Sequence, residues 1–327
     1  MRRAALLAAI APFALLAAEE PKELPSRRIP NLGEAAELYF SADGQRLIGS
    51  VMQPGDSTHH TYTLRVDGTE IRKINDKGED ACSYFFPDGK RILWTSTRDN
   101  LDMPKGNWSD ANDYPQGAEL YTSKPDGSDV KRLTNNKAYD AEASISPDGK
   151  WIVFTRQTDG KLDLWRMKTD GSEQRQITHT DEAQEGGSFY LPDSETIIYR
   201  AWNRADQAQR GRPMTIYTIK HDGTGTNQVT MDPGLNWAPH PAPDGVHFAY
   251  VRMAEPGNFE VFVMNMRTRE KRQLTFNKAF DGYPSFSPDG KTLAFATSRD
   301  ANPGERKVWT YLMDVSSLGI QPLPKKK

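Results

Sequence analysis

Ser146-Pro147-Asp148-Gly149-Lys150 is followed directly by an apolar run from Trp151 to Arg156. An Asp-Gly pair between apolar runs indicates a tight hairpin turn, because glycine readily adopts the positive φ that such a turn needs. The β-branched and aromatic residues of the run favour a β-strand. The stretch therefore predicts two antiparallel strands joined by a short turn.

The same turn recurs along the whole chain in more or less complete form. Its aspartates are Asp43, Asp88, Asp148, Asp193, Asp244 and Asp289, and they follow one another at intervals of 45, 60, 45, 51 and 45 residues. A period near 45 residues, with short strands between turns, is typical of a propeller blade. We therefore predict an all-β fold, a six-bladed β-propeller with four antiparallel strands per blade.

Two further signals repeat within each blade. An Asp-Gly turn precedes the fourth strand, as at Asp170-Gly171, and the fourth strand ends in a sequence such as Arg132-Leu133-Thr134. Together with the first turn, these signals resemble the WD40-like repeats of TolB-like β-propellers, and the resemblance covers all six repeats. It implies the fold more than the function, since the same propeller type caps prolyl-oligopeptidase-like hydrolases and forms the body of oligogalacturonate lyases. TolB carries an additional N-terminal α/β domain, which we expect to be absent here.

The first residues are predicted to be a secretory signal peptide. Arg2 and Arg3 precede a 15-residue uncharged run, residues 4–18, which Glu19 ends. At 1.5 Å per residue this run is too short for a hydrocarbon core of roughly 30 Å. We expect a periplasmic or secreted protein with no membrane span in its mature form; the alternative is an uncleaved anchor or a buried helix. The predicted segments are a signal peptide at 1–18, an extended lead-in at 19–30, the propeller at 31–320 and a basic tail at 321–327.

Composition narrows the classes of partner. The chain has 42 basic and 44 acidic residues, a net charge of −2, which argues against broad binding to nucleic acid. Its single cysteine, Cys82, excludes an intrachain disulfide framework. We expect Cys82 and the strand residue His240 to be buried and structural.

Length variation among the repeats is concentrated in the connections between second and third strands, which share one end of the propeller. The longest insertion, at about 98–118, is acidic, and a second, at about 200–213, is basic. The two could neutralise each other, or they could form a bipolar binding surface with aromatic anchors. The predicted binding residues in them are Trp108, Tyr114, Arg200, Trp202 and Arg204.

Acidic residues also recur eight positions before the turn aspartates. The residues there are Ala35, Asp80, Asp140, Glu185, Asn236 and Asp281. Because the first strand of a blade is innermost, we expect a ring of side chains at the channel mouth. Clustered carboxylates suit Ca²⁺, with Asp80, Asp140, Glu185 and Asp281 as metal ligands, or a basic partner segment that also contacts Asn236. The alternative is that each acid caps a local turn.

No catalytic motif accompanies the repeats. The sequence has no G-x-S-x-G elbow, no phosphate-binding loop and no zinc-type histidine spacing. The prediction is a non-enzymatic, exported propeller that binds another envelope or secreted protein or peptide, with a cation at the acidic channel mouth. The alternative is a metal-dependent carbohydrate- or peptide-active enzyme that uses the channel. Because residues 31–40 supply the first strand of blade one, we expect the ring to close without strand exchange.

Overall fold

A computed structural model describes residues 22–209 and 211–324. These residues form six four-stranded antiparallel sheets, which confirms the predicted all-β, six-bladed propeller. The predicted signal peptide at 1–18 and the last residues of the basic tail, 325–327, lie outside the described residues. Within the described ranges, no helix has both the length and the apolar character needed to cross a membrane.

The strands of the first three blades follow one another in chain order. Blade one contains β2 (Glu34–Phe40), β3 (Arg46–Met52), β4 (His60–Arg65) and β5 (Arg72–Lys73). Blade two contains β6 (Asp80–Phe85), β7 (Ile92–Ser96), β8 (Glu119–Ser123) and β9 (Lys131–Arg132). Blade three contains β10 (Tyr139–Ile145), β11 (Trp151–Thr158), β12 (Lys161–Lys168) and β13 (Arg175–Gln176).

Blades four and five repeat this order, and blade six departs from it. Blade four contains β14 (Ala183–Tyr190), β15 (Thr196–Asn203), β16 (Thr215–Lys220) and β17 (Asn227–Gln228). Blade five contains β18 (Asn236–Pro241), β19 (His247–Glu255), β20 (Asn258–Asn265) and β21 (Lys271–Gln273). Blade six contains β22 (Asp281–Phe286), β23 (Thr292–Thr297) and β24 (Trp309–Asp314), and its outer strand is β1 (Ser26–Arg28).

The ring therefore closes by strand exchange, and the prediction of closure without it is wrong. Strand β1 pairs antiparallel with β24, with Ser26 opposite Met313. After β24 the chain enters a short 3-10 helix, Ser316–Leu318, and Ile320 packs into the apolar cluster between blades five and six. The N-terminal lead-in fills the edge that the C-terminal end leaves open, because an unpaired strand edge is otherwise costly.

The repeated turn is fixed by local hydrogen bonds. In blade three the Ser146 hydroxyl donates to Asp148 Oδ1 at 2.6 Å, and the same oxygen accepts the Lys150 N–H at 3.2 Å. Gly149 follows with a φ of 72°, the left-handed region that favours glycine. The sequence pattern persists because serine, aspartate and glycine each have a separate role in this turn.

The repeated ending of the fourth strand has an equally local cause. The hydroxyls of Thr134, Thr178, Thr230 and Thr275 accept the backbone N–H groups of Leu120, Leu164, Ile216 and Val261, respectively, on the third strands. These threonines are buried, so each satisfies a backbone donor that would otherwise lack a partner.

Apolar side chains fill the spaces between neighbouring blades. Leu93 of blade two packs in one cluster with Ile152 and Phe154 of blade three, and Val261 of blade five packs with Leu293 of blade six. These side chains are fully buried. The blades are thus held as a ring, and their innermost strands surround a central channel.

Candidate functional site: the channel cavity

Each innermost strand carries a bulge at the same place. Every pairing between first and second strands shows a register shift there. Six positions before the turn aspartate, each blade has a residue at positive φ, between 41° and 59°, and a bulge at such a point re-aims its side chain. These six residues are Glu37, Cys82, Glu142, Gly187, Ala238 and Tyr283, and all of them line one cavity.

The cavity has a volume of about 530 Å³ and is closed at one end by aromatic rings. Tyr39 lies 5.4 Å from Tyr84 and 5.7 Å from His240 between ring centroids, and Phe189 lies 5.0 Å from His240. These rings come from blades one, two, four and five, so together they fill the channel. At the other end the cavity is bordered by the connections between second and third strands of blades two, four and six, and by Phe259 at the start of β20.

His240 is part of this floor and has a structural partner. Its Nδ1 accepts the backbone N–H of Phe286 at 3.3 Å. Burial lowers the pKa of His240 to about 3, so the ring is neutral at ordinary pH.

A buried ion pair forms one wall of the cavity. Arg200 Nη2 lies 2.7 Å from Glu142 Oε1, and the Gly187 N–H donates to Glu142 Oε2 at 2.7 Å. Burial alone would raise the pKa of Glu142, but the Arg200 charge and the hydrogen bonds outweigh burial, and the net pKa lies below its ordinary value. The guanidinium of Arg200 occupies the space that a side chain at position 187 would need. The glycine in blade four therefore makes room for the pair.

Glu37 and Cys82 form a second polar pair in the channel. The Cys82 thiol lies 3.4 Å from Glu37 Oε2 and donates to it. Burial, reinforced by the nearby Glu142 charge, raises the pKa of Glu37 to about 6. Burial also raises the pKa of Cys82 well above its ordinary value, so the thiol remains protonated and is a poor nucleophile.

The five predicted loop residues differ in their burial and in whether they line the cavity. Trp108 is half-buried and lines the cavity, as do Arg200 and Trp202, which are both buried. Tyr114 also lines the cavity, but it is buried and stacks on Tyr139 at 4.3 Å, so it is not an exposed anchor. Arg204 is exposed in a one-turn 3-10 helix and is not part of the lining.

The two long insertions meet through aromatic packing rather than through opposite charges. Ala111 and Tyr114 of the first insertion share a buried cluster with Tyr139 and Trp202, against which Trp108 packs. Among the residues that the structure describes, no ion pair joins the acids of 98–118 to the arginines of 200–213. Of the two alternatives, mutual neutralisation of the insertions therefore finds no support among the described residues.

The predicted acidic ring is not a cluster. Its members lie apart, are almost completely buried, and have local partners. Asp80 accepts hydrogen bonds from the Thr61 N–H and from the Asn75 amide, and Glu185 accepts one from the Thr180 hydroxyl. Asp140 forms an ion pair with Arg156, and Asp281 contacts both Asn277 and Arg299. The Asn236 amide donates to the Met214 carbonyl. None of these residues lines the cavity. Across residues 22–209 and 211–324, no three His, Cys, Asp or Glu side chains are placed to hold a metal ion.

The bulge explains this difference. It turns the residue six positions before the turn aspartate towards the channel, while the residue eight positions before it faces into the blade. Counting back six residues would have found Glu37 and Glu142. No local signal marks other cavity residues, such as Arg212 and Arg306, because the connections that carry them approach the channel only in the folded ring.

The geometry defines a class of protein: a six-bladed propeller with a channel that is blocked by aromatic rings at one end and open to long loops at the other. Residues 207–322 match the TolB beta propeller domain family. In its repeats the chain is therefore similar to TolB-like β-propellers.

Individual relatives show the same similarity. The chain is 28% identical over 199 residues to the uncharacterized protein Atu1656 of Agrobacterium fabrum, covering 58% of this chain and 61% of that protein. It is 28% identical over 154 residues to a protein TolB homolog of Chlorobium luteolum, covering 47% and 33%. The crystal structure of TolB from Acinetobacter baumannii has the same fold, with a TM-score of 0.63, 18% identity and coverage of 83% of this chain and 64% of that one. The chain thus spans between about a third and three-fifths of the length of these two curated relatives.

Proposed function

We propose that this protein is an exported, non-enzymatic propeller that binds another envelope or secreted protein by taking a peptide segment of it into the channel cavity. The observation that carries the proposal is the cavity itself, which opens on the side of the long loops and is closed at the far end. A volume of about 530 Å³ is in the range of pockets that hold a small ligand or a short stretch of peptide.

Aromatic side chains on the open side support peptide binding. Trp237 packs edge-on against Tyr283 at 4.7 Å between ring centroids, and Phe280 lies 5.7 Å from Phe259. All four line the cavity together with Trp108. Rigid aromatic residues around a concave site are typical of the anchors that dominate binding energy in protein interfaces.

The chemistry of the described lining favours binding over catalysis. Glu142 is held by Arg200, and the Cys82 thiol is kept protonated by burial. A nucleophile needs an adjacent base or a lowered pKa, and the arrangement around Cys82 does the reverse. Export rests on the predicted signal peptide at 1–18, and cell fractionation of the full chain tests it directly.

Site-specific crosslinking tests the binding function. Ser109 is exposed and lines the cavity, whereas Val130 is exposed near the turns at the opposite end of the blades. A photo-crosslinking amino acid at Ser109, in the native host, should capture a discrete protein, and Trp237→Ala in the same chain should weaken that adduct. The matched probe at Val130 should not capture it. Equal capture at both positions, or no adduct at Ser109, would reject the proposal.

A further inference from the structure

Two arginine side chains of the cavity lining pack against the same tryptophan, Trp202. The guanidinium carbon of Arg200 lies 5.4 Å from the ring centroid of Trp202, and that of Arg212 lies 5.5 Å from it. Glu142 neutralises Arg200. Among the described residues no carboxylate lies within ion-pair distance of Arg212, which also lines the cavity. Two positive charges flank one indole, and one of them lacks a counter-charge.

The cavity lining as a whole also has a net positive charge. Its charged lining residues are the arginines Arg200, Arg212 and Arg306 and the glutamates Glu37 and Glu142. Arg306 is exposed, and it too has no acidic partner in the described ranges. The cavity is therefore positive, although the chain as a whole has a net charge of −2. A positive, partly enclosed site within an acidic protein selects for a negative ligand.

Arg212 is held in place before any ligand arrives. Trp202, on which it stacks, is buried and donates its indole N–H to Gln207 at 2.6 Å. The Nε and Nη1 of Arg212 are buried and have no hydrogen-bond partner among the described residues. A guanidinium donates through a fork that matches a planar anion, so an anion bound there would supply the missing acceptors. Little side-chain entropy is then lost when the anion binds.

Resting on the proposed function, we infer that this cavity recognises a peptide carboxylate, with Arg212 and Arg306 as its binding residues and the aromatic rim accepting an adjacent apolar side chain. Arginine matches the carboxylate geometry through two parallel N–H···O bonds. The carboxylate has two possible sources, an Asp or Glu side chain and the C-terminus of the partner chain, and the experiment separates them.

An array of random hexapeptides, each made with a free and with an amidated C-terminus, is the probe. We expect the full mature chain to retain peptides enriched in a carboxylate next to an aromatic or aliphatic residue. Loss of binding on amidation assigns the C-terminus, and loss on Asp→Asn or Glu→Gln exchange assigns a side chain. For the best peptide, measured by fluorescence anisotropy, Arg212→Gln and Arg306→Gln should each weaken binding about tenfold.

Arg267→Gln is the matched control, because Arg267 is exposed on the turn between β20 and β21, away from the cavity. It should leave the affinity unchanged. Retained peptides that are neutral or basic, or an affinity that neither Arg212→Gln nor Arg306→Gln alters, would overturn the carboxylate inference. If the retained peptides bind without a carboxylate but Trp237→Ala still weakens their binding, the proposed function stands. If no peptide is retained, or binding is indifferent to Trp237→Ala, the proposed function fails as well.

Discussion

At the scale of single residues, the pair of Glu142 and Arg200 decides how the channel wall is built. Glu142→Gln leaves the Arg200 guanidinium buried without a counter-charge, and breaking a buried pair in this way costs about 3–5 kcal/mol of unfolding free energy. Urea denaturation followed by circular dichroism measures it. Glu195→Gln, which removes an exposed partner of Lys220, should change stability by less than about 1 kcal/mol. A double variant, Glu142→Leu with Arg200→Met, should lose less unfolding free energy than Glu142→Gln does, because it leaves no buried charge without a partner. An equal loss in the two variants would argue that the unpaired charge is not the cause.

Two other buried carboxyls should make the stability of the fold depend on pH. Burial raises the pKa of Glu185 and of Glu260 to about 7, and the hydroxyls of Thr180 and Thr275 compensate only in part. The folded protein therefore binds these protons more tightly than the unfolded chain, whose carboxyls titrate near 4.5. Their contribution to stability is complete below pH 4.5 and is lost as the pH rises towards 7.

Thermal denaturation between pH 5 and pH 8 checks this sign. The double variant Glu185→Gln and Glu260→Gln should lose less stability than the wild type as the pH rises, by a difference on the order of 2 kcal/mol. Comparing the two proteins removes the contributions of the other titrating groups. Parallel curves for both proteins would show that these carboxyls do not control the pH dependence.

At the scale of secondary structure, the sequence predicts features that are fixed by bonds between neighbouring residues. It does not predict features that depend on the register or the pairing of strands. The turn at Asp148 was predictable because Ser146 bonds both to Asp148, through its hydroxyl, and to the Gly149 N–H, through its carbonyl, all within five residues. The direction of Asp140 was not, since the bulge after it shifts which side chain faces the channel and places Glu142 there instead. The pairing of β1 with β24 was also hidden, because its partners are almost 300 residues apart and a three-residue strand has no period to detect.

The exchanged strand β1 should contribute strongly to stability despite its length. Ile29, which follows it, is 1% exposed, packs between blades one and six, and donates its N–H to the Thr310 carbonyl at 3.1 Å. Ile29→Ala should therefore lower the unfolding free energy by about 2–5 kcal/mol. Arg27→Ala, an exposed change within β1, should cost less than about 1 kcal/mol. If both variants unfold at the wild-type urea concentration, the ring does not close through this strand in solution.

At the scale of the whole molecule, the cavity exists only because six distant segments meet around one axis. Its bulge residues run from Glu37 to Tyr283, one from each blade. Consecutive members of this set are at least 45 residues apart. The repeat period could therefore predict the channel but not the charge of its lining. That charge depends on which blades carry an acid at the bulge and which loops carry an arginine without a partner.

The summed charge of this site should respond to the protonation of Glu37. The groups that face Glu37 are the Cys82 thiol, Glu142, Arg200 and the hydroxyls of Tyr39 and Tyr283, and burial is the main reason that its pKa is about 6. Below pH 6 the carboxyl is neutral and the cavity becomes more positive, while a peptide carboxylate with a pKa near 4 remains charged. The carboxylate-bearing peptide should then bind on the order of threefold to tenfold more tightly at pH 5.5 than at pH 7.5. Fluorescence anisotropy at the two pH values should show this difference in affinity for the wild type. Glu37→Gln, which mimics the protonated side chain, should bind the peptide equally well at both pH values. The same pH profile in both proteins would mean that another group controls the response.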